Sequence, residues 1–426
     1  MSRSVNRVGA IAVAFVSLAW GLAAGRGEPP LVVRGGKVFT VTHGVLENGM
    51  VLIRDGVIQE VGIGLPIPAG ARVVGTAEDV VLPGFIDAGT NLGTVEWDSV
   101  EEDYDEASLI VSPHLRIIDA FNPESRFIRR AWDQGISCAL VSPGRGNLLA
   151  GQSAFLHLGG GDIAEMSVKV PAAVHGTLGD VFKPRTKPTH AYPYTRMGAA
   201  ALLRQTLIDA QDYQERLLEA RKRKDAAKDN PKGRAKPDVQ AALEALVPVI
   251  TGETPLVMTA NRRDDILTAL RIAREFKIRL IISEGAEAWR DAKTLASLGI
   301  PVILRPKTAD RLTLETAKAR PENAAILQKA GVKIAFQSGS VQSLGDLLPL
   351  AHDAIRHGLD PAAALRALSL NAAEIFGIAD RVGSLDKGKW ADLVVFSGDP
   401  LGSVAEVKTV ILKGRVAKAS GSRERT

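Results

Sequence analysis

His175 and Glu284 are two side chains that can do chemistry together if the fold brings them to one place. His175 directly follows the apolar stretch 168–174, and Glu284 directly follows the apolar stretch 278–283. If both stretches are parallel strands, the two side chains lie at the carboxyl-terminal end of one sheet, where α/β enzymes place their active sites. An imidazole beside a carboxylate forms a general acid and base couple, in which the carboxylate stabilises the charged ring.

Other roles stay open for this pair. Two donors are too few to hold a transition-metal ion firmly, because such sites use three or four protein ligands. A hydrogen-bonded polar pair without a catalytic role is the simpler interpretation. The sequence has no Gly-x-Ser-x-Gly motif, and its single cysteine, Cys138, is not in a pattern typical of a nucleophile.

A turn of small residues follows another predicted strand, the apolar stretch 80–86. The sequence there is LPGFIDAGTNLG, which places Gly89 and Asn91 just beyond Asp87 at the same end of the sheet. Glycine has no side chain, and an amide oxygen is a poor ligand for a transition metal. These two positions therefore favour a turn without metal-binding capacity.

Two loops near the same end of the sheet have unusual compositions. The acidic stretch 95–108 either attracts cations and basic ligands or is a solvated loop; its acids are Glu96, Asp98, Glu101, Glu102, Asp103, Asp105 and Glu106. The glycine-rich stretch 142–152, SPGRGNLLAGQ, either cradles an anion with its backbone amides or forms tight turns. It lacks the Gly-Lys-Ser/Thr ending of a P-loop.

The central part of the chain alternates apolar strands with helical patterns, which is typical of repeated βα units. In residues 262–276, apolar side chains recur at helical spacing, and two acids lie in the first turn, as a helix dipole favours. We therefore predict a (β/α)₈ barrel over residues 83–381, with a doubly wound sheet as the alternative. The predicted strands are residues 80–86, 136–141, 168–174, 255–260, 278–283, 301–304 and 332–337.

Both ends of the predicted barrel are flanked by β-rich sequence. Turns at Asp55-Gly56 and Lys413-Gly414 indicate a hairpin on each side. We predict one small composite β domain from residues 30–82 and 382–420. A basic polar insertion at about residues 215–240 is either a solvated helix end or a polyanion site, and the absence of interleaved aromatic residues favours the former.

Composition limits the remaining function classes. The formal net charge is +5 for 426 residues, and it falls by two if Arg3 and Arg7 are removed with a signal peptide. That surplus is too small to indicate nucleic-acid binding. Residues 1–24 resemble an export signal cleaved near Ala24, which predicts a periplasmic or extracellular protein that leaves the membrane once the signal is removed. The alternative is an uncleaved membrane anchor.

Four stretches together carry a family resemblance: VVLPGFIDAGTNLG, VSPGRGNLLAGQSAFLHLGG, RRDDILTALRIAREF and ADRVGSLDKGKWADLVVFSGDPL. The chain resembles the amidohydrolase superfamily, nearest to its imidazolonepropionase-like branch. The resemblance implies a distorted (β/α)₈ TIM barrel with a composite β-sandwich domain. It also implies a family chemistry in which zinc or another divalent metal activates water to hydrolyse carbon–nitrogen bonds other than peptide bonds.

The resemblance also implies where metal ligands would lie, and these positions are substituted here. The histidines after strand 1 match Gly89 and Asn91, and the bridging residue of strand 4 matches His175. The histidines of strands 5 and 6 match Thr259 and Glu284, and the aspartate of strand 8 matches Gly339. We therefore expect a catalytically impaired or inactive homologue without a bound cofactor, which binds an unknown small molecule or protein. A homo-oligomer is one assembly open to it. The alternative is an active hydrolase with an altered or metal-free centre around His175 and Glu284.

Overall fold

The computed structural model describes residues 29–96, 102–106, 108–179, 192–226, 240–305, 313–402 and 405–419. The predicted signal peptide lies outside these residues. So do the middle of the acidic stretch and residues 227–239 of the basic insertion. Within the described residues no helix is both long enough and apolar enough to cross a membrane.

The described chain contains strands at both ends and alternating strands and helices between them. The strands are β1 Leu31–Arg34, β2 Lys37–Phe39, β3 Val45–Glu47, β4 Gly49–Arg54, β5 Val57–Ile63, β6 Arg72–Val74, β7 Val80–Pro83, β8 Phe85–Thr90, β9 Ile136–Val141, β10 Leu149–His157, β11 Ser167–Thr177, β12 Leu256–Ala260, β13 Leu280–Glu284, β14 Val302–Leu304, β15 Ile334–Phe336, β16 Leu393–Phe396, β17 Val407–Leu412 and β18 Arg415–Ala419. The helices are α1 Arg126–Asp133, α2 Ile163–Met166, α3 Arg196–Ala226, α4 Ala241–Ile250, α5 Arg263–Phe276, α6 Ala292–Ser297, α7 Asn323–Lys329, α8 Leu347–Arg356, α9 Pro361–Leu368 and α10 Leu370–Phe376.

The central sheet is the predicted distorted barrel. Its eight strands run in the order β15-β14-β13-β12-β11-β10-β9-β8, and strands β11 to β15 are parallel. The distortion lies at β10, which is antiparallel to both β9 and β11. The sheet curls until its first and last strands meet, so the alternative of an open doubly wound sheet is wrong.

Two strand predictions differ from the structure near the start of the barrel. The stretch 80–86 is divided, because β7 pairs with the terminal β16 while β8 pairs with β9. The division falls at Gly84, where a Cβ atom would lie 2.4 Å from the Ser137 hydroxyl. Strand β10 was not predicted, because it begins within the glycine-rich stretch 142–152, whose composition predicts turns.

Side-chain hydrogen bonds and one backbone bond, without a strand ladder, hold the closing seam between β8 and the segment after β15. The Asp87 carboxylate accepts hydrogen bonds from the backbone amides of Ser338 (2.9 Å) and Gly89 (3.2 Å). The Asn91 side-chain oxygen accepts one from the Val341 amide at 2.8 Å, and the Gly339 amide donates to the Gly89 carbonyl at 2.8 Å. These bonds place the ends of the first and last barrel strands side by side.

The two chain ends build the composite β unit. One sheet has the order β5-β4-β1-β6, and the other has the order β18-β17-β16-β7-β2-β3. Their apolar faces share one core, to which both chain ends contribute; Val33, Val51, Ile53, Leu393 and Ile411 are among its members. The hairpins at Asp55-Gly56 and Lys413-Gly414 form as predicted. All four turn residues adopt left-handed backbone angles, as this type of hairpin turn requires.

Helices cover the outside of the barrel, and the helices α3 and α4 flank the basic insertion in the sequence. In α5 the residues predicted to face the core, Ile266, Leu270, Ala273 and Phe276, are buried. Helix α3 is 31 residues long and packs against α4, so the start of the basic insertion belongs to a helix, as expected. Helix α10 places Phe376 against Phe155 inside the barrel, with ring centroids 5.9 Å apart.

Candidate functional site

A cavity of about 450 Å³ opens at the carboxyl-terminal ends of the barrel strands, which we call the barrel mouth. All six positions singled out from the sequence line it: Gly89, Asn91, His175, Thr259, Glu284 and Gly339. The fold therefore brings them together as expected from strands that end at one side of a barrel. The cavity has the size of a small-molecule site.

Gly89 lies against a neighbouring amide side chain that sequence reasoning missed. A Cβ atom at Gly89 would lie 2.1 Å from the Gln337 side-chain oxygen. Gln337 follows β15 and donates a hydrogen bond to the Ser283 hydroxyl at 3.0 Å, which holds its amide in place. The space that a larger residue at Gly89 would need is therefore already filled.

The space beside Gly339 is likewise filled by a long side chain, that of Arg305. The Gly339 φ of +75° is a left-handed conformation that glycine adopts without strain. A Cβ atom there would lie 2.5 Å from Nε of Arg305 and 3.0 Å from its Cζ. A guanidinium group thus lies beside Gly339, the position that the resemblance matched with the family's aspartate.

Glu284 is bound by the chain's own cations. Arg145 donates a hydrogen bond to Oε1 of Glu284, and Nη1 of Arg305 lies 3.6 Å from the same oxygen. Asn261 donates to the other oxygen, Oε2. The backbone of Glu284 has a φ of +70°, which is rare for a residue with a side chain. These contacts hold the strand end in a strained conformation.

His175 is not paired with Glu284. Within the described part of the chain its Nε2 atom is buried and has no hydrogen-bond partner. Burial lowers the pKa of His175 to about 3, because a charged ring would lose its hydration. The ring is therefore neutral at physiological pH, and the acid and base couple considered from the sequence is not formed.

Asn91 and Thr259 have different surroundings. The Asn91 side-chain oxygen accepts the Val341 amide hydrogen at the barrel seam, so its one acceptor atom is already engaged. Thr259 lies in β12, where it pairs with Thr177 of β11 and Ser283 of β13. Its hydroxyl contributes a polar group to the cavity wall.

The acidic loop and the glycine-rich turn form one structure over the mouth. Both carboxylate oxygens of Asp105 lie 3.1 Å from the Gly146 amide, which donates to them. The Gly144 amide donates to the Tyr104 carbonyl at 2.6 Å. A Cβ at Gly144 would lie 2.2 Å from Cγ of Asp105. The turn does cradle an anion, as one of its two interpretations held, but this anion belongs to the same chain.

The donor atoms at the mouth do not fit a catalytic divalent metal. Among the described residues, three potential ligands come within 4.8 Å of one another in one group, formed by Cys138, His157 and Asp392. Cys138 lies near the start of β9, whereas the cavity opens beyond the end of that strand. At the mouth, Gly89 and Gly339 offer no side-chain donor atom, Asn91 is engaged at the seam, and Glu284 contacts arginines. In the described part of the chain His175 keeps an unpartnered ring nitrogen, but one imidazole is too few to hold a catalytic metal.

Two members of the Cys138 group, His157 and Asp392, are joined by a hydrogen bond. Nδ1 of His157 accepts from the Gly159 amide at 3.1 Å, so Nε2 carries the proton and donates to Asp392 Oδ1 at 2.9 Å. Asp392 also accepts from the Lys413 amide at 2.8 Å. Both ring nitrogens are therefore used, and the group joins the barrel to the composite β unit.

Four residues of the site were missed as functional candidates: Arg145, Arg305, Gln337 and Tyr104. Arg305 and Gln337 directly follow or end predicted strands, so their positions alone could have identified them. Arg145 lies in the glycine-rich turn, for which the anion-binding interpretation rested on the backbone amides and not on the guanidinium group. Tyr104 lies within the acidic stretch and lines the same cavity.

Comparisons with known proteins agree with this architecture. Residues 266–417 match the model of the amidohydrolase family. The chain is 36% identical over 109 residues to imidazolonepropionase of Geobacillus kaustophilus, covering 25% of this chain and 24% of the relative. It is 31% identical over 163 residues to adenine deaminase of Moorella thermoacetica, covering 38% of this chain and 22% of the relative. The matches thus span about a quarter of these curated relatives.

One solved structure is similar over nearly the whole chain. The crystal structure of an amidohydrolase from Thermotoga maritima MSB8 has a TM-score of 0.84 and 32% sequence identity, and the match covers 91% of this chain and 100% of that one. Its fold and length match the barrel together with the composite β unit. The chain therefore belongs to the amidohydrolase superfamily, whose family chemistry is the hydrolysis of carbon–nitrogen bonds.

Proposed function

We propose that this chain has lost metal-dependent hydrolysis and uses its barrel mouth to bind a small molecule. The observation that carries the proposal is the pair of contacts at Gly89 and Gly339. The Gln337 amide and the Arg305 guanidinium fill the volume that metal-ligating side chains at these glycines would need. Restoring a ligand at either glycine would first require these neighbours to move.

Charge at the mouth supports the same proposal. Arg145 and Arg305 both lie at the Glu284 carboxylate, so fixed cations are present where the family would place a divalent cation. Like charges repel strongly at short distance in a partly buried site. The arginines therefore weaken binding of a metal ion and compete for the carboxylate that would ligate it.

A metal-free hydrolase built on His175 and Glu284 has less support. Glu284 is bound by Arg145 and Asn261, and His175 does not contact it. A ring whose pKa is about 3 is a weak base, which limits its use in general base catalysis near neutral pH. The cavity itself, with its polar wall, is retained and suits binding.

The test is metal content together with turnover, measured on the whole chain purified without chelators after growth with added zinc or manganese. We expect well below one equivalent of metal and no hydrolysis of cyclic amides or amidines above the rate in buffer. His175→Ala and Cys138→Ala serve as a matched pair that locates any metal found. One equivalent of metal that is lost in His175→Ala but kept in Cys138→Ala would contradict the proposal. Turnover that depends on His175 would also contradict it.

A further inference from the structure

We propose that the ligand of the barrel mouth carries a compact carboxylate, which Arg145 and Arg305 bind in the place now held by the Glu284 carboxylate. This inference rests on the proposed function, because it requires a mouth that binds small molecules without a divalent metal. In this proposal the Glu284 carboxylate occupies an anion site that the carboxylate of a ligand can also occupy.

The two guanidinium groups converge on one carboxylate oxygen. Arg145 comes from the turn between β9 and β10, Arg305 follows β14, and both lie at Oε1 of Glu284. A guanidinium presents a planar set of N–H donors that matches a carboxylate and can bind it with two parallel bonds. Two such groups around one position form a clamp for an oxyanion.

The clamp places two positive charges close to each other. Burial and the nearby charge of Arg305 lower the pKa of Arg145 to about 10, and Tyr104 and Asp105 oppose that effect. Asp105 also faces Arg145, but its carboxylate is held by the Gly146 amide. An anion brought by a ligand would offset the repulsion between the two arginines.

A ligand can reach these groups from the cavity. The Arg145 side chain is 41% exposed and the Arg305 side chain is 24% exposed, whereas Glu284 is 11% exposed. All three line the cavity of about 450 Å³. The guanidinium groups are therefore accessible to a small molecule while the barrel stays closed.

The backbone of Glu284 favours its displacement. Glu284 and the following Gly285 both have left-handed angles, with φ of +70° and +56°. A residue with a side chain keeps such an angle only where its surroundings impose it. The bonds from Arg145 and Asn261 impose it here, so loss of the Arg145 bond to a competing anion removes part of the constraint.

The experiment is calorimetric titration of the whole protein with succinate, acetate and inorganic phosphate, with succinamide as the neutral control. Glu284→Gln removes the internal charge and keeps the side-chain length. We expect it to bind succinate about tenfold more tightly than the unmodified chain, since its clamp lacks a competing carboxylate. Phosphate binding tighter than succinate binding would overturn the choice of a carboxylate.

Two further variants test the arginines. Arg145→Met and Arg305→Met, each combined with Glu284→Gln, should abolish succinate binding, whereas Arg356→Met should not change it. Arg356 is an exposed arginine that pairs with Asp353 on α8, far from the cavity lining. Thermal unfolding of every variant shows whether it is folded, and Glu284→Ala provides a second variant if Glu284→Gln does not fold.

The possible results separate this inference from the proposed function. Succinate binding that is absent in folded Glu284→Gln or Glu284→Ala, or that survives both arginine substitutions, would overturn the anion site. If either result is obtained with a protein that contains no metal and has no hydrolase activity, the proposed function stands. Metal bound through His175 would instead overturn the proposed function and this inference with it.

Discussion

At the residue scale, two glycines at the mouth each lie against a long polar side chain. Gly89 is in contact with Gln337, and Gly339 is in contact with Arg305. In each pair a glycine provides the space and a long polar side chain occupies it. Under the proposed function, a ligand placed at either glycine does not by itself rebuild a metal site, because the neighbouring side chain must move first.

This contact predicts a measurable interaction between Gly89 and Gln337. Gly89→Ala should lower the free energy of unfolding by about 1–3 kcal/mol, because the added methyl group collides with the Gln337 amide. Combining it with Gln337→Ala should recover part of the loss, giving an interaction energy of about 1 kcal/mol or more in a double-mutant cycle. Gly398→Ala is the control, since a Cβ there meets nothing within 4 Å. Strict additivity would show that the two residues are not in contact.

Asp87 makes stability depend on pH in a definite direction. Burial raises its pKa to about 6, although the Ser338 and Gly89 amides bind its carboxylate. The folded state therefore holds the proton more tightly than the unfolded state, so the stabilisation is complete below about pH 4 and is lost as pH rises through about 6. The full change is about 3 kcal/mol.

The variant Asp87→Asn isolates this effect. We expect the unfolding free energy of the unmodified chain to fall relative to that of Asp87→Asn between about pH 4 and pH 7, measured by urea denaturation. The direction matters more than the size. A difference that stays constant with pH, or that rises with pH, would show that the Asp87 carboxyl is not perturbed by burial.

At the element scale, the barrel closes through side chains instead of a continuous ladder. The first and last strands meet where the Asp87 and Asn91 side chains accept the backbone amides of Ser338 and Val341. The Ser338 hydroxyl also bonds to the Thr90 hydroxyl there. Asn91 therefore supports the seam between strands as well as lining the cavity. This role explains why an amide, with both donor and acceptor atoms, suits a position where a metal-binding residue is absent.

The seam predicts a local effect of Asn91→Ala. The Val341 amide would lose its acceptor in a buried place, which should cost about 1–3 kcal/mol. Hydrogen exchange at Val341 and its neighbours should accelerate, while the amides of β12, on the other side of the barrel, should keep their protection. Equal acceleration everywhere would indicate global destabilisation and would argue against a seam held by Asn91.

Most strands and the mouth positions could be predicted from the sequence, because apolar runs and turn residues act locally. The hairpins at Asp55-Gly56 and Lys413-Gly414 are examples. The division of the stretch 80–86 could not, since it depends on the contact of Gly84 with Ser137 from another strand. The Arg145 bond to Glu284 joins residues 139 positions apart, which no local pattern encodes.

At the scale of the whole molecule, the family architecture is intact. The barrel, its composite β unit and the His157–Asp392 bond that joins them all form. The scaffold of such a barrel depends on buried apolar packing, whereas its chemistry depends on a few polar groups at the strand ends. A stable scaffold with an open cavity remains suited to ligand binding.

The central claim is that the barrel mouth holds side chains of this chain where its relatives would hold a metal. A crystal structure of protein grown and crystallised with excess zinc, with anomalous scattering data, tests it most directly. We predict the Gln337 amide beside Gly89, the Arg305 guanidinium beside Gly339, and no anomalous peak bound by three or more side chains at the mouth. A fully occupied zinc ion held there by His175 and at least two other side chains would contradict the claim.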